Sequence, residues 1–250
     1  MAKTGILFVA HGSRSQENNQ AMKKFFQEMT IEIPCFKQQL TFLEGNEKTL
    51  AEGVLDLKEA GSKQIFVVPL LLFTGTHVSQ DIPSAIKAIK QAETDLTFQI
   101  LPPLAEANDE LLPILESRIP CSRGREKMLI FLVVHGSAKY PDIFTRVYEL
   151  TEKLAQKTDK SVEFGFLHGT ETYLEKLARM DFKAVDRLVI CPFFLMEDSF
   201  LVGKIRREAS EMLDLMDVNY EITKSLALDP RIRKGIGLEI RKEIENELFG

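Results

Sequence analysis

What this 250-residue chain lacks narrows its function before any motif does. No apolar run approaches the roughly 20 residues that cross a bilayer. The start, MAKT, passes straight into a strand pattern without an apolar leader stretch, so the chain reads as cytoplasmic, with no membrane partner. Cysteine is scarce: Cys35, Cys121 and Cys191 lie far apart with no C-x-x-C pair. That removes a disulfide framework and a thiolate-bound zinc or iron–sulfur site, and leaves free, partly buried thiols. Basic charge is not in excess either. The 32 Lys and Arg against 37 Asp and Glu give a net charge of −5, the wrong sign for a broad nucleic-acid face, and no nucleic-acid partner is expected beyond a local basic patch.

What remains is an ordinary globular composition, 44% hydrophobic and 28% charged, with chain enough for one large or two modest cores. Apolar runs recur as GILFVA, QLTFL, QIFVVPLLLF, TFQIL, MLIFLVV, VEFGFL, RLVICPFFL and NYEIT. The strongest are continuous rather than alternating, as parallel strands covered by helices on both faces require. Helical stretches fall between them, at 15–29, 46–60, 82–93, 108–118, 142–156, 170–180, 200–215 and 230–248. The pattern is that of an α/β protein with parallel sheets.

It is also a repeat. His11 and His135 are 124 residues apart, Leu43 and Leu167 124, Pro69 and Pro192 123, Phe98 and Tyr220 122. Landmarks kept in order with so little drift imply two similar domains related by internal duplication, each a four-stranded parallel sheet flanked by helices. The boundary is expected near IPCSRGREK, which divides the chain into 1–122 and 123–250. A sheet whose strand order reverses binds ligands beyond the carboxyl ends of its strands, where His11, Glu44 and His77 all fall.

In GILFVAHGSRSQ (5–16) the strand delivers His11 to that edge. Gly12 lets the backbone turn or a ligand approach closely, Ser13 can cap the next helix, and a helix N-terminus there offers N–H groups to an anion. Taken singly, such a histidine reads as a hydrogen-bonded, partly buried side chain, and Glu44 as a solvated loop acid. Taken together with His77, carried by VVPLLLFTGTHVSQDIPSAI (67–86), they read differently. Two neutral imidazoles and a carboxylate suit a divalent metal, and the same carboxylate suits proton acceptance. Pro83 fits the first turn of the helix that follows.

At VAHGSR (9–14), FLE (42–44) and VVPLLLFTGTHVSQDIP (67–83) the sequence resembles the class II tetrapyrrole chelatases, the sirohydrochlorin chelatases of the SirB/CbiX type in their two-domain form. The resemblance spans essentially the whole chain. It implies insertion of Fe2+ or Co2+ into sirohydrochlorin, with ferrous iron for siroheme placed ahead of cobalt for cobalamin. It places metal binding on His11 and His77, and the acidic active-site residue on Glu44, which would take protons from the pyrroles and offset the ion's charge. No cofactor is implied besides the metal being inserted, and a monomer is expected. Because the substrate is a polycarboxylate, Ser13, Arg14, Lys204, Arg206 and Arg207 become candidate substrate contacts, and each of the four cations could equally be a solvated helix charge.

The second half departs from the pattern. His135 keeps the HGS motif, His168 stands in place of Glu44, and Phe200 in place of His77. Its own metal site is expected to be lost, with His135 and His168 facing the substrate or merely packed. Histidine-rich and cysteine-rich extensions are absent, which argues against metal storage or redox sensing. Two rival readings remain. A histidine phosphatase also uses a strand-end His-Gly, but its arginine just before that histidine is here Ala10 or Val134. A tetrapyrrole or metal carrier would bind without turnover.

Overall fold

The computed structural model describes residues 4–122, 124–137, 142–169 and 171–249, with side chains as far as Glu247. Residue 123, at the expected domain boundary, residue 170, at the start of one expected helix, and residues 138–140 of the second HGS stretch lie outside the described residues. Elements alternate as β1 (Thr4–Ala10), α1 (Gln16–Glu32), β2 (Lys37–Phe42), α2 (Leu50–Glu59), β3 (Gln64–Pro69), a π-turn (His77–Asp81), α3 (Ile82–Ala92), β4 (Thr97–Ile100), α4 (Leu104–Ala107) and α5 (Leu111–Arg118). They continue as β5 (Met128–Val134), α6 (Asp142–Thr158), β6 (Ser161–Phe166), α7 (Tyr173–Arg179), β7 (Arg187–Pro192), α8 (Leu201–Leu215), β8 (Tyr220–Ile222) and α9 (Pro230–Phe249).

The eight strands form two four-stranded sheets of order β2-β1-β3-β4 and β6-β5-β7-β8, parallel throughout. The duplication is visible in the register. Ala10 pairs with Phe42 and Val9 with Pro69, while Val134 pairs with Phe166 and Val133 with Pro192. The central strands β1 and β5 are buried on both faces, which is why they read as unbroken apolar runs. In β1, Leu7 and Val9 join Val54, Leu57, Ile65, Val67, Ile82 and Ile86 on one face. On the other, Phe8 meets Phe26 of α1 edge-on, ring centroids 5.6 Å apart.

Three helices, α2, α5 and α7, begin three to four residues later than expected. Thr49 and Thr172 each close a full capping box with Glu52 and Glu175, so α2 and α7 begin three to four residues later than the apolar spacing suggests. The cap of α1 is Ser15, whose hydroxyl accepts from the Asn18 N–H. Ser13 instead accepts from the Ser15 N–H at 3.1 Å.

The compact units do not follow the repeat boundary at 122/123. One comprises residues 1–109 and 230–250, the other 110–229. In the first, Ile232, Ile236 and Ile240 bury one face of α9, which packs on α1 and α4. At about 1.5–3 kcal/mol for each buried side chain, that face outweighs sequence order in deciding where the helix belongs. Asn108 donates to the Ile232 carbonyl at 2.9 Å, and Arg233 pairs with Glu28 at 2.7 Å beside the Phe25 ring. In the second unit α5 buries Leu111, Ile114 and Leu115 and packs on α6. Among the described residues no helix is long and apolar enough to cross a membrane. Cys191 is buried, whereas Cys35 and Cys121 are exposed rather than partly buried as expected.

Candidate metal centre

The strand order of the first unit reverses between β1 and β3, and the residues leaving the carboxyl ends of β1, β2 and β3 meet there. Backbone bonds fix the approach: the Leu43 N–H donates to the Ala10 carbonyl at 3.0 Å, and the Glu44 N–H to the His11 carbonyl at 2.9 Å. Gly12 turns between them at φ +89°, and a Cβ there would lie 2.1 Å from the Glu44 carbonyl oxygen. The two chains can touch only because residue 12 is glycine. Of the two roles open to Gly12 in the sequence, close approach therefore serves backbone rather than ligand.

His77 reaches the same place from the π-turn. Its Ile82 N–H bonds back five residues to the His77 carbonyl, a widened turn of the kind found at functional sites. One ligand atom from each of His11, Glu44 and His77 lies within 4.8 Å of the others. The two Nε2 atoms are 3.0 Å apart, with the rings nearly perpendicular at 82°. His11 and Glu44 are exposed and His77 half-buried, so an ion can enter from solvent.

The tautomers follow from the partners. His77 Nδ1 is 2.7 Å from Asp81 Oδ2, and His11 Nδ1 is 3.0 Å from the Gly12 carbonyl oxygen. A carbonyl and an ionised carboxylate only accept, so each Nδ1 carries the proton of its neutral ring. Each ring then turns its Nε2 lone pair towards the other. Two lone pairs this close repel unless a proton or a metal ion sits between them. Two bonds of about 2.1 Å to one ion, usual for imidazole on a divalent metal, set their nitrogens about 3.0 Å apart when they meet at about 90°. The pair thus fits a cis arrangement that leaves other directions of the ion open to Glu44, water or an incoming ligand.

Asp81 is the residue that sequence reasoning left without a role. Its signal was present, an acid four positions after a histidine at the start of a helix, but which face it shares with His77 depends on the π-turn. A carboxylate on the far nitrogen orients the ring and raises its basicity. Asp81→Ala is expected to weaken Co2+ binding about 10- to 100-fold, and Asp81→Asn less, because an amide oxygen still accepts the Nδ1 proton. Calorimetric titration checks this, and wild-type affinity in Asp81→Ala would remove Asp81 from the site.

The other expected residues divide. Ser13 is held in the α1 turn, its hydroxyl also 3.4 Å from the Asn18 amide. Arg14 and Arg207 are exposed. Lys204 pairs with Glu208 at 3.7 Å. Arg206, expected as a substrate anchor, is committed elsewhere. Its guanidinium pairs with Glu197 at 2.7 Å and donates to the Ile222 and Thr223 carbonyls at 3.1 and 2.8 Å, tying α8 to the end of β8. In the second unit His135 and His168 lie with ring centroids 5.1 Å apart. Local desolvation, then the nearby His135 and the Lys204 charge, hold the His168 imidazole below its usual pKa. Phe200, at His77's position, is 78% exposed and offers no ligand atom.

Fold and site together define a class: a duplicated parallel α/β protein that gathers two imidazoles and a carboxylate, a donor set suited to a divalent ion, at a sheet's switch point. The CbiX family model matches residues 5–121 and again residues 129–242, and the chain belongs to that family. It is 24% identical over 246 residues to the sirohydrochlorin ferrochelatase of Bacillus subtilis (strain 168), covering 98% of this chain and 93% of that one. With the sirohydrochlorin cobaltochelatase of Priestia megaterium the identity is 25% over 224 residues, covering 86% and 70%. A solved structure of SirB from Bacillus subtilis with Fe3+ shares the fold at a TM-score of 0.85 and 24% identity, covering 96% and 95% of the two chains.

Proposed function

We propose that this protein inserts a divalent metal into sirohydrochlorin, with Fe2+ as the working ion and Co2+ as an accepted alternative. The observation that carries the reading is the pair of Nε2 atoms 3.0 Å apart with the Glu44 carboxylate beside them. The named relatives supply the substrate, and the ferrochelatase of Bacillus subtilis matches over nearly the full length of both chains. His11 and His77 hold the incoming ion by two nitrogens, firmly enough to collect it and with open directions through which it can be passed on. Each insertion releases two pyrrole protons for one metal ion. Glu44 accepts one of them and solvent water the other, and the carboxylate's charge offsets that of the ion until the macrocycle takes over. No cofactor takes part besides the metal itself. The chain works as a monomer in the cytoplasm, a setting that suits its exposed thiols Cys35 and Cys121.

The test is the absorbance change when purified protein, sirohydrochlorin and either ion are mixed without oxygen. Catalytic turnover is expected with both. Intrinsic affinity rises from iron to cobalt, so Co2+ should enter at least as readily as Fe2+ at equal free concentration. Stoichiometric binding without turnover would make the protein a carrier.

A further inference from the structure

Each residue of the metal centre has a glycine close by in sequence: Gly12 follows His11, Gly45 follows Glu44, and Gly75 stands two residues before His77. Two of the three are required by the chain itself. A Cβ on Gly12 would strike the Glu44 carbonyl oxygen, and Gly45 turns at φ +93°, in the region that side chains avoid. Gly75 is required by neither condition. Its φ is not positive, and among the described residues no atom lies within 4 Å of where its Cβ would be. An alanine would fit there and would narrow the unfolded ensemble, so glycine at this position lowers stability for no reason internal to the chain.

Flexibility does not explain it either, because the segment from β3 to the π-turn is tied down on both sides of Gly75. Before it, the Leu104 and Ala105 N–H groups donate to the Leu71 and Leu72 carbonyls, both at 2.8 Å, and the Thr74 hydroxyl donates to Glu106 at 3.0 Å. At Gly75 itself, the carbonyl takes the Ser79 N–H at 2.9 Å and the Ser79 hydroxyl at 2.8 Å. A hinge needs a main chain free to turn, and this one is held. What remains is the use of glycine where another molecule comes close to the backbone.

The position says what that molecule is. Two residues of chain span at most about 7 Å, so the Gly75 Cα lies within that distance of the His77 Cα. A tetrapyrrole receives its metal at four nitrogens in the middle, and its rings reach outward from them on every side. When that middle is brought to an ion held by His77, the rings extend over the residues that flank His77. A side chain at residue 75 would stand in this space, and glycine leaves it open. Leu71, Leu72 and Phe73, which lead up to it, are apolar and half-buried, a surface that suits a conjugated ring.

We infer that the open space at Gly75 receives the substrate macrocycle, which rests directly on the main chain there while the ion passes from His11 and His77. The inference rests on the substrate proposed above. Both bonds to the Gly75 carbonyl use the main chain of that residue, so a side chain added there leaves them in place.

The test is equilibrium binding of metal-free sirohydrochlorin, followed by absorbance without oxygen, to wild type, Gly75→Ala, Gly75→Leu and, for reference, Gly237→Ala. Residue 237 lies on α9 of the same unit, where a Cβ would make only an ordinary contact, 3.7 Å from Ile33. Gly75→Ala is expected to weaken binding about tenfold and Gly75→Leu about a hundredfold, in step with the volume added. Co2+ affinity should stay at its wild-type value, and the unfolding temperature of Gly75→Ala should be equal or slightly higher. Gly237→Ala should bind as wild type does. Losses of Co2+ affinity or unfolding temperature that match the loss of tetrapyrrole binding would overturn the inference, since the glycine would then serve the π-turn. A Gly237→Ala as weak as Gly75→Ala would overturn it too. Wild-type binding in both Gly75 variants removes this inference alone, whereas a wild-type protein that binds no sirohydrochlorin removes the functional proposal with it.

Discussion

Alanine in place of His11 or His77 is expected to lower Co2+ affinity by about a hundredfold or more and to remove most metal insertion, while leaving the fold intact. Loss of an outer carboxylate already costs about 10- to 100-fold, and each of these changes removes a donor atom itself. The second part of the expectation is the sharper one. The two Nε2 atoms face each other at 3.0 Å, an arrangement that contributes no favourable contact unless a cation is shared. Thermal stability without metal should therefore be equal or slightly higher in either variant, as expected where a site is held in a strained, functional arrangement. Metal titration and thermal unfolding of the same samples separate the two effects. A large loss of stability would mean that the imidazoles serve the fold instead. His135→Ala should leave Co2+ affinity unchanged, because Phe200 stands where a second imidazole would be needed.

Glu44→Gln should separate chemistry from binding. The substitution keeps the shape, and the main-chain bond from the residue 44 N–H to the His11 carbonyl does not depend on the side chain. Two imidazoles still hold the ion, so Co2+ affinity should fall less than tenfold, whereas the insertion rate should fall about a hundredfold through loss of the proton acceptor. Single-turnover absorbance at saturating metal measures the rate, and calorimetry the affinity. Equal losses in both would reassign Glu44 as a ligand only.

The division between what could be read along the chain and what could not is physical. Strands buried on both faces must be apolar throughout, so β1, β3, β5 and β7 announced themselves, and a strand end followed by His-Gly placed His11 and His135 at a sheet edge. The duplication was equally visible, because matching folds keep matching spacings. The sequence alone thus determined an α/β protein in two similar halves and the triad of His11, Glu44 and His77.

Tertiary structure decided whatever depends on partners distant in the chain. The spacing of Ile232, Ile236 and Ile240 declares one apolar face for α9, but only packing shows that the face is buried in the first unit. Arg206 looks like a free cation until Glu197 and two carbonyls are found around its guanidinium. Asp81 acquires its role only through a π-turn, and the tautomers of His11 and His77 only through the oxygens facing each Nδ1. A local pattern records how much of a residue must be buried and how the backbone must bend. Which atom ends up against which is set by non-local packing, and it is those contacts that bring the Nε2 atoms of His11 and His77 to 3.0 Å from each other.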